Sequence, residues 1–251
     1  MTVSWLITGA SRGIGLSVVE DLLKDEKNFV IATARNPDSA EGLKALSQKF
    51  PESRLALIKL DVTKADEIAK AVEAATLLLP QGLDYFISNA GIINKPLTSF
   101  DDLDLDEFLE ELKFNTVTPI EITRAFLPLI RKSEKKKILY ITSILGSISV
   151  GGVWPVVANS YAVSKAALNM LVRKWGSFLK MEGISFSVIH PGWVVTEGWR
   201  GYTALDGEVR AGHCSRLATK QRREGIIKLA EDLTLEQTTS FFNYDGSMIG
   251  W

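Results

Sequence analysis

The sequence predicts a single α/β domain, a doubly wound Rossmann fold with a central, mostly parallel seven-stranded sheet flanked by helices. Three observations predict it. Short runs of Val, Ile and Leu recur with almost no polar alternation, as strands buried on both faces require. Stretches of helical spacing separate them and supply the right-handed crossovers that parallel strands need. A glycine-rich turn, Thr8-Gly9-Ala10-Ser11-Arg12-Gly13-Ile14-Gly15, stands between the first apolar run and the first helical stretch.

The elements follow in order. Residues 3–8 read as a short buried strand, and 16–23 have helical spacing. Residues 29–33 form strand two. Residues 37–50 form a helix opened by Pro37 and an acidic residue. Strand three is expected at 55–60, with an amphipathic helix over 66–79. Strand four is Tyr85-Phe86-Ile87-Ser88. A long helical stretch over 105–130 is interrupted between Asn115 and Pro119. Strand five lies at 138–142, a strong helix at 160–179 and strand six at 184–189. A last short strand is expected at 241–244. Residues 191 to about 222 have no clear period. They hold five glycines, three aromatic residues and three arginines before Arg222, and a stretch that long without a period reads as either a functional lid or a mobile surface loop. The whole of 1–251 is read as one domain, with 191–222 as its substrate-binding lid.

Composition excludes several function classes. The 251 residues are 46% hydrophobic and 24% charged, with a formal charge of -1. That balance gives no electrostatic case for a nucleic-acid partner. The run Lys135–Lys137 is read as a solvated loop at the mouth of a strand. Cys214 is the sole cysteine and His190 and His213 are the two histidines, so no intrachain disulfide and no metal site are expected. No secretory leader is visible, and no window approaches the roughly 18 apolar residues of a membrane span. The expected location is the cytosol.

The glycine-rich turn follows a strand and opens a helix. Glycines allow a tight turn and close approach to a pyrophosphate, and the helix N-terminus directs free N–H groups at the negative charge. The spacing differs from G-x-G-x-x-G, and Leu16-Ser17 after the last glycine does not fit a Walker loop. Strand two ends in Thr33-Ala34-Arg35, where an NAD site places a carboxylate for the ribose 2′-hydroxyl. Arginine there, with Arg12 in the turn, favours a 2′-phosphate and hence NADP(H). Asp61 and Val62 close strand three and Asn89-Ala90-Gly91 closes strand four, at the sheet edge where ligands of such folds bind. Asp61 is a candidate acceptor for the adenine amino group.

Tyr161 and Lys165 lie one helical turn apart on one face. An ammonium beside a phenol favours the phenolate, so Tyr161 is a candidate proton donor and acceptor at a carbonyl oxygen. Lys165 is also placed to bond the nicotinamide ribose. A surface i,i+4 pair without chemistry is the alternative reading. Ser143 ends strand five and is a candidate to hold the substrate oxygen. Thr142, Ser147, Ser149 and Ser160 are close by in the chain.

These residues together resemble the short-chain dehydrogenase/reductase family over nearly the whole chain. The motifs that carry the resemblance are Thr8-Gly9-x-x-x-Gly13-Ile14-Gly15, Ser88-Asn89-Ala90-Gly91, Asn115, Ser143, Tyr161-x-x-x-Lys165, and Pro191-Gly192 with Thr196. Within the family the chain is most similar to carbonyl reductases of the sniffer and C-factor type and to fungal ketoreductases. The tail reaches the usual family end, so the chain reads as complete. The resemblance implies an enzyme that passes hydride between NADP(H) and an apolar or aromatic ketone, aldehyde or alcohol. It implies cofactor contacts from Gly9, Ser11, Arg12, Gly13, Ile14, Gly15, Arg35, Asp61, Val62, Asn89, Ala90, Gly91, Tyr161, Lys165, Pro191, Gly192, Val194 and Thr196. It implies that Asn115 breaks the helix locally and holds a water linked to Lys165, and that the chain forms a homodimer or homotetramer. Two departures stand out. Ser88 replaces an asparagine, and Ser143 precedes Tyr161 by 18 residues, which makes Ser147 a rival. Leu145, Trp154, Trp193, Trp199 and Tyr202 are the expected substrate wall. An NAD-linked alcohol dehydrogenase working toward oxidation and a non-catalytic NADP(H)-sensing protein are the alternatives.

Overall fold

The computed structural model describes residues 2–192 and 220–251. Seven strands form one parallel sheet: β1 (Val3–Ile7), β2 (Asn28–Ala34), β3 (Leu55–Lys59), β4 (Tyr85–Ser88), β5 (Lys137–Ile141), β6 (Ser185–His190) and β7 (Phe241–Asn243). Their order is β3-β2-β1-β4-β5-β6-β7, so the winding reverses between β1 and β4. That reversal opens a crevice at the carboxyl ends of the two strands.

Among the described residues seven α-helices cover the sheet: α1 (Gly13–Leu22), α2 (Glu41–Lys49), α3 (Ala65–Leu78), α4 (Leu105–Leu112), α5 (Thr118–Lys132), α6 (Asn159–Lys180) and α7 (Lys220–Asp232). Side chains alternate across each strand, so the sheet divides the core in two. Leu6, Ile31, Phe86, Ile138, Tyr140 and Val188 pack with Ile68, Ala71 and Ala75 of α3, Ile122 and Phe126 of α5, and Leu168 and Val172 of α6. Trp5, Ile7, Val30, Ala32, Ile87, Leu139 and Ile189 pack with Val18 and Val19 of α1, Leu43 of α2, and Ile226 and Leu229 of α7.

Predicted and observed elements agree along most of the chain, with ends shifted by a residue or two. The expected helix over 37–50 divides into a short 3₁₀ turn, Pro37–Ser39, and α2. The interruption near Asn115 is a π-helical turn over Lys113–Val117, which joins α4 to α5. α7 corrects the irregular reading, because regular helix begins at Lys220, inside the expected lid. Its polar composition hid it: only Ile226, Leu229 and Ala230 are buried, and an ion pair of 2.8 Å from Arg223 to Asp21 pins it to α1. The Lys135–Lys137 run is part loop and part strand. Lys137 opens β5, and the ammonium groups of Lys135 and Lys137 lie over the Tyr85 ring. Among the described residues no helix is long and apolar enough to cross a membrane.

Candidate active site

The glycine turn leaves β1 at the sheet reversal and is held by the end of β4. Thr8 Oγ1 accepts from the amides of Asn89 (3.0 Å) and Ala90 (3.2 Å). Asn89 Nδ2 donates to the carbonyls of Thr8 (2.9 Å) and Gly9 (3.0 Å). Two glycines are required by this packing. Gly9 has φ +66°, and a Cβ on it would lie 2.9 Å from Ala90 Cα. A Cβ on Gly15 would lie 2.6 Å from both Asn89 Nδ2 and the Gly9 carbonyl. The Asn89 side chain is therefore committed to shaping the turn.

α1 starts at Gly13 with no side-chain cap and no acid in its first turn. Its leading N–H groups suit an anion. Arg12 directly precedes the helix and Arg35 follows β2, both exposed. Asp61 sits beyond β3. Burial would raise its carboxyl, but bonds from the Thr63 hydroxyl (2.7 Å) and amide (3.1 Å), with the charges of Lys64 and Arg35, hold it below the usual range. Val62 is buried beside it. These residues fit a phosphorylated dinucleotide: an uncapped helix end, two exposed guanidinium groups and a glycine turn that no side chain can fill.

The catalytic candidates come from four elements. Ser143 follows β5, and its hydroxyl accepts from the Leu145 amide at 3.2 Å. Ser147, the rival serine, is turned elsewhere. Its hydroxyl donates to the Gly250 carbonyl at 2.5 Å and pairs with Ser149 Oγ at 2.8 Å. Lys165 is buried on α6, and its ammonium donates to the Ile141 carbonyl at 3.0 Å and lies 5.5 Å from the centre of the Tyr161 ring. Burial pushes Lys165 down to about 8. Asn115 sits fully buried in the π turn. Its Oδ1 accepts from the Ile92 amide (2.9 Å), and its Nδ2 donates to the Ile92 carbonyl (2.9 Å) and Ser164 Oγ (3.0 Å). A Cβ on Gly91 would touch both Asn115 Oδ1 (3.3 Å) and Lys165 Nζ (3.7 Å), so the β4 end, the π turn and α6 meet at one point.

The Tyr161 phenol differs from the sequence expectation. Burial first, and the Glu111 carboxylate second, push its proton affinity above the ordinary value. Lys165 Nζ stands 5.5 Å from the ring centre. The resting phenol therefore keeps its proton, the form a general acid needs.

Leu145 and Trp154 pack in one apolar cluster with Tyr161, Ile93, Leu97 and Val157. Pro191 and Gly192 follow β6, buried, at the same sheet edge. Trp193, Val194, Thr196, Trp199 and Tyr202 lie outside the described residues, as do Cys214 and His213. The described residues contain no cluster of three or more His, Cys, Asp or Glu side chains suited to a metal. Two contributors escaped the sequence reading, and a third, Thr8, entered it only as part of the glycine motif. Thr8 holds the β4 end, Ser164 holds Asn115, and Glu111 lies near Tyr161. Ser164 was within reach of spacing alone, three residues after Tyr161 on the same helix face.

Comparison with known proteins fits this arrangement. An uncharacterized oxidoreductase of Schizosaccharomyces pombe is 32% identical over 250 residues, covering 98% of this chain and 96% of its own. The NADPH-bound carbonyl reductase from chicken fatty liver superposes with a TM-score of 0.87 at 32% identity, covering 100% of this chain and 95% of that one. The carbonyl reductase Sniffer of D. melanogaster superposes with a TM-score of 0.86 at 28% identity, each chain covered in full. The family model for short chain dehydrogenase matches residues 4–204. With the glycine turn, the Tyr161–Lys165 pair and this topology, the chain belongs to the short-chain dehydrogenase family.

Proposed function

We propose that this protein is an NADPH-dependent reductase of apolar or aromatic ketones and aldehydes. The observation that carries the reading is a partly buried phenol one helical turn from a buried ammonium, beside a glycine turn shaped for a dinucleotide. The bound NADPH of the chicken relative supports the cofactor choice.

When bound, NADPH supplies the hydride. The turn from Gly9 to Gly15, including Ser11, Gly13 and Ile14, would hold the pyrophosphate, and Arg12 and Arg35 would hold the 2′-phosphate. Asp61 and Val62 border the adenine, and Ala90 and Gly91 leave room for adenosine. Pro191 and Gly192, and by resemblance to the family Val194 and Thr196, would border the nicotinamide, and Lys165 would bond its ribose. Ser143 and Tyr161 hold the substrate oxygen, and Tyr161 donates the proton as the alkoxide forms. Ser143 is preferred to Ser147 because the Ser147 hydroxyl is spent on Gly250. Asn115 keeps the π turn against Ile92 and anchors the water that returns a proton through Lys165. Leu145 and Trp154, which pack with Tyr161, would contribute the apolar wall; Trp193, Trp199, Tyr202 and the rest of the expected lid up to residue 219 lie outside the described residues. A cytosolic homodimer or homotetramer is the working assembly.

Initial rates with NADPH and NADH against aliphatic, quinone and polycyclic aromatic ketones test this. kcat/KM is expected to favour NADPH by at least about 10-fold, and Arg35→Ala to erase most of that preference. Equal use of NADH would favour the oxidative alcohol dehydrogenase. NADPH binding with no ketone reduced would favour a sensor.

A further inference from the structure

Glu111 is a fully buried carboxylate that the mechanism above does not use. It sits in the last turn of α4, four residues before Asn115. One oxygen accepts from the backbone amide of Asn94, in the loop that leaves β4. The other accepts from Ser160 Oγ at 2.6 Å, and Ser160 immediately precedes Tyr161. The loop also meets the start of α6 through Ala158 N to the Pro96 carbonyl (2.8 Å) and Asn159 Nδ2 to the Thr98 carbonyl (2.8 Å). Glu111 is the fully buried carboxylate of this seam; Glu110, which accepts from Asn94 Nδ2 (3.0 Å), and Glu107, paired with Lys95 (2.9 Å), lie on its outer side.

A buried carboxylate is costly unless its oxygens are bonded. Here both are, and the two donors belong to two different segments, the loop after β4 and the start of α6. An apolar residue in its place would leave a backbone amide and a hydroxyl without partners. We infer that Glu111 is a positioning residue, whose carboxylate ties the loop after β4 to Ser160 and so fixes Tyr161 relative to that loop. The inference rests on Tyr161 as the proton donor. The same carboxylate also favours the protonated phenol. Burial, with Glu107 and Glu110 on its own helix, raises the proton affinity of Glu111, while Ser160 and the Asn94 amide oppose the rise.

Three variants test it. Glu111→Leu fills the space without bonding. It is expected to lower kcat at least about 10-fold at saturating NADPH, while the NADPH Kd from tryptophan fluorescence stays within about 3-fold. Amide hydrogen exchange at Asn94 is expected to quicken at least about 10-fold. Glu111→Gln can still accept from Asn94 and donate to Ser160, and is expected to recover most of kcat. Ser160→Ala breaks one bond and is expected to lower kcat about 3-fold or more, which keeps the test open if Glu111→Leu fails to fold. Parental kcat in Glu111→Leu or Ser160→Ala overturns the inference. So does a Glu111→Gln as slow as Glu111→Leu, or a loss of NADPH affinity matching the loss of kcat. Tyr161→Phe separates the two claims. Full activity there removes the donor reading itself, whereas an inactive Tyr161→Phe beside a fully active Glu111→Leu removes only the role of Glu111.

Discussion

Two serines four residues apart illustrate how much the partner of a hydroxyl matters. Ser143 and Ser147 both follow β5, and spacing from Tyr161 did not choose between them. The structure separates them by what each bonds: Ser143 Oγ accepts from Leu145 and keeps its own proton to donate, while Ser147 donates to Gly250. Ser143→Ala is expected to lower kcat about 100-fold, the scale of losing one oxyanion donor. Ser147→Ala is expected to keep turnover within about 3-fold and to lose stability instead. Steady-state kinetics of both variants on one ketone check this, and the reverse ranking would transfer the role to Ser147. The protonation of Tyr161 was beyond the sequence for a related reason. The i,i+4 spacing shows the ammonium, but not the burial or the Glu111 carboxylate that acts against it.

At the scale of elements, the turn between β1 and α1 is a packing problem solved by missing side chains. Gly15 sits so close to Asn89 and the Gly9 carbonyl that one methyl group must displace backbone. Gly15→Ala is expected to cost about 1–3 kcal/mol and to weaken NADPH binding, because the turn opens away from β4. Gly152 is the control, since a Cβ there meets nothing within 4 Å and the residue lies in a short exposed 3₁₀ turn. Urea unfolding and NADPH titration of both variants test the claim, and equal tolerance at Gly15 would contradict it. The strands were legible because their apolar runs are too short for helices and are bounded by polar turns, the pattern of strands buried on both faces. α7 was not, because its thirteen residues bury only three apolar or small side chains and its anchor is the Arg223–Asp21 pair. The π turn was visible only as an interruption, since its extra residue leaves no mark in hydrophobic spacing.

For the whole molecule, the two half-cores place every described site segment on one sheet edge, and His190 ties that edge to acid stability. It ends β6, buried, and burial with the Arg222 charge lowers it from 6.5 to about 4. The folded protein resists a proton that the unfolded chain accepts. Stability is therefore full above pH 6.5 and lost as pH falls toward 4, by about 3 kcal/mol from this residue. Urea unfolding from pH 7 to 4 should show a shallower loss in His190→Gln, and parallel curves would contradict the assignment. The arrangement of the site along the chain was legible because its motifs fall at strand ends, which a parallel sheet gathers on one side. Its wall was less so: Leu145 and Trp154 pack with Tyr161, but the bonds of Thr8, Glu111 and Ser164 depend on tertiary approach. The central claim concerns the Tyr161 proton, and the most direct measurement is single-turnover ketone reduction by preformed NADPH complexes of the parent and Tyr161→Phe. The account predicts unchanged NADPH affinity with a rate at least about 100-fold slower in the variant; equal rates would contradict it.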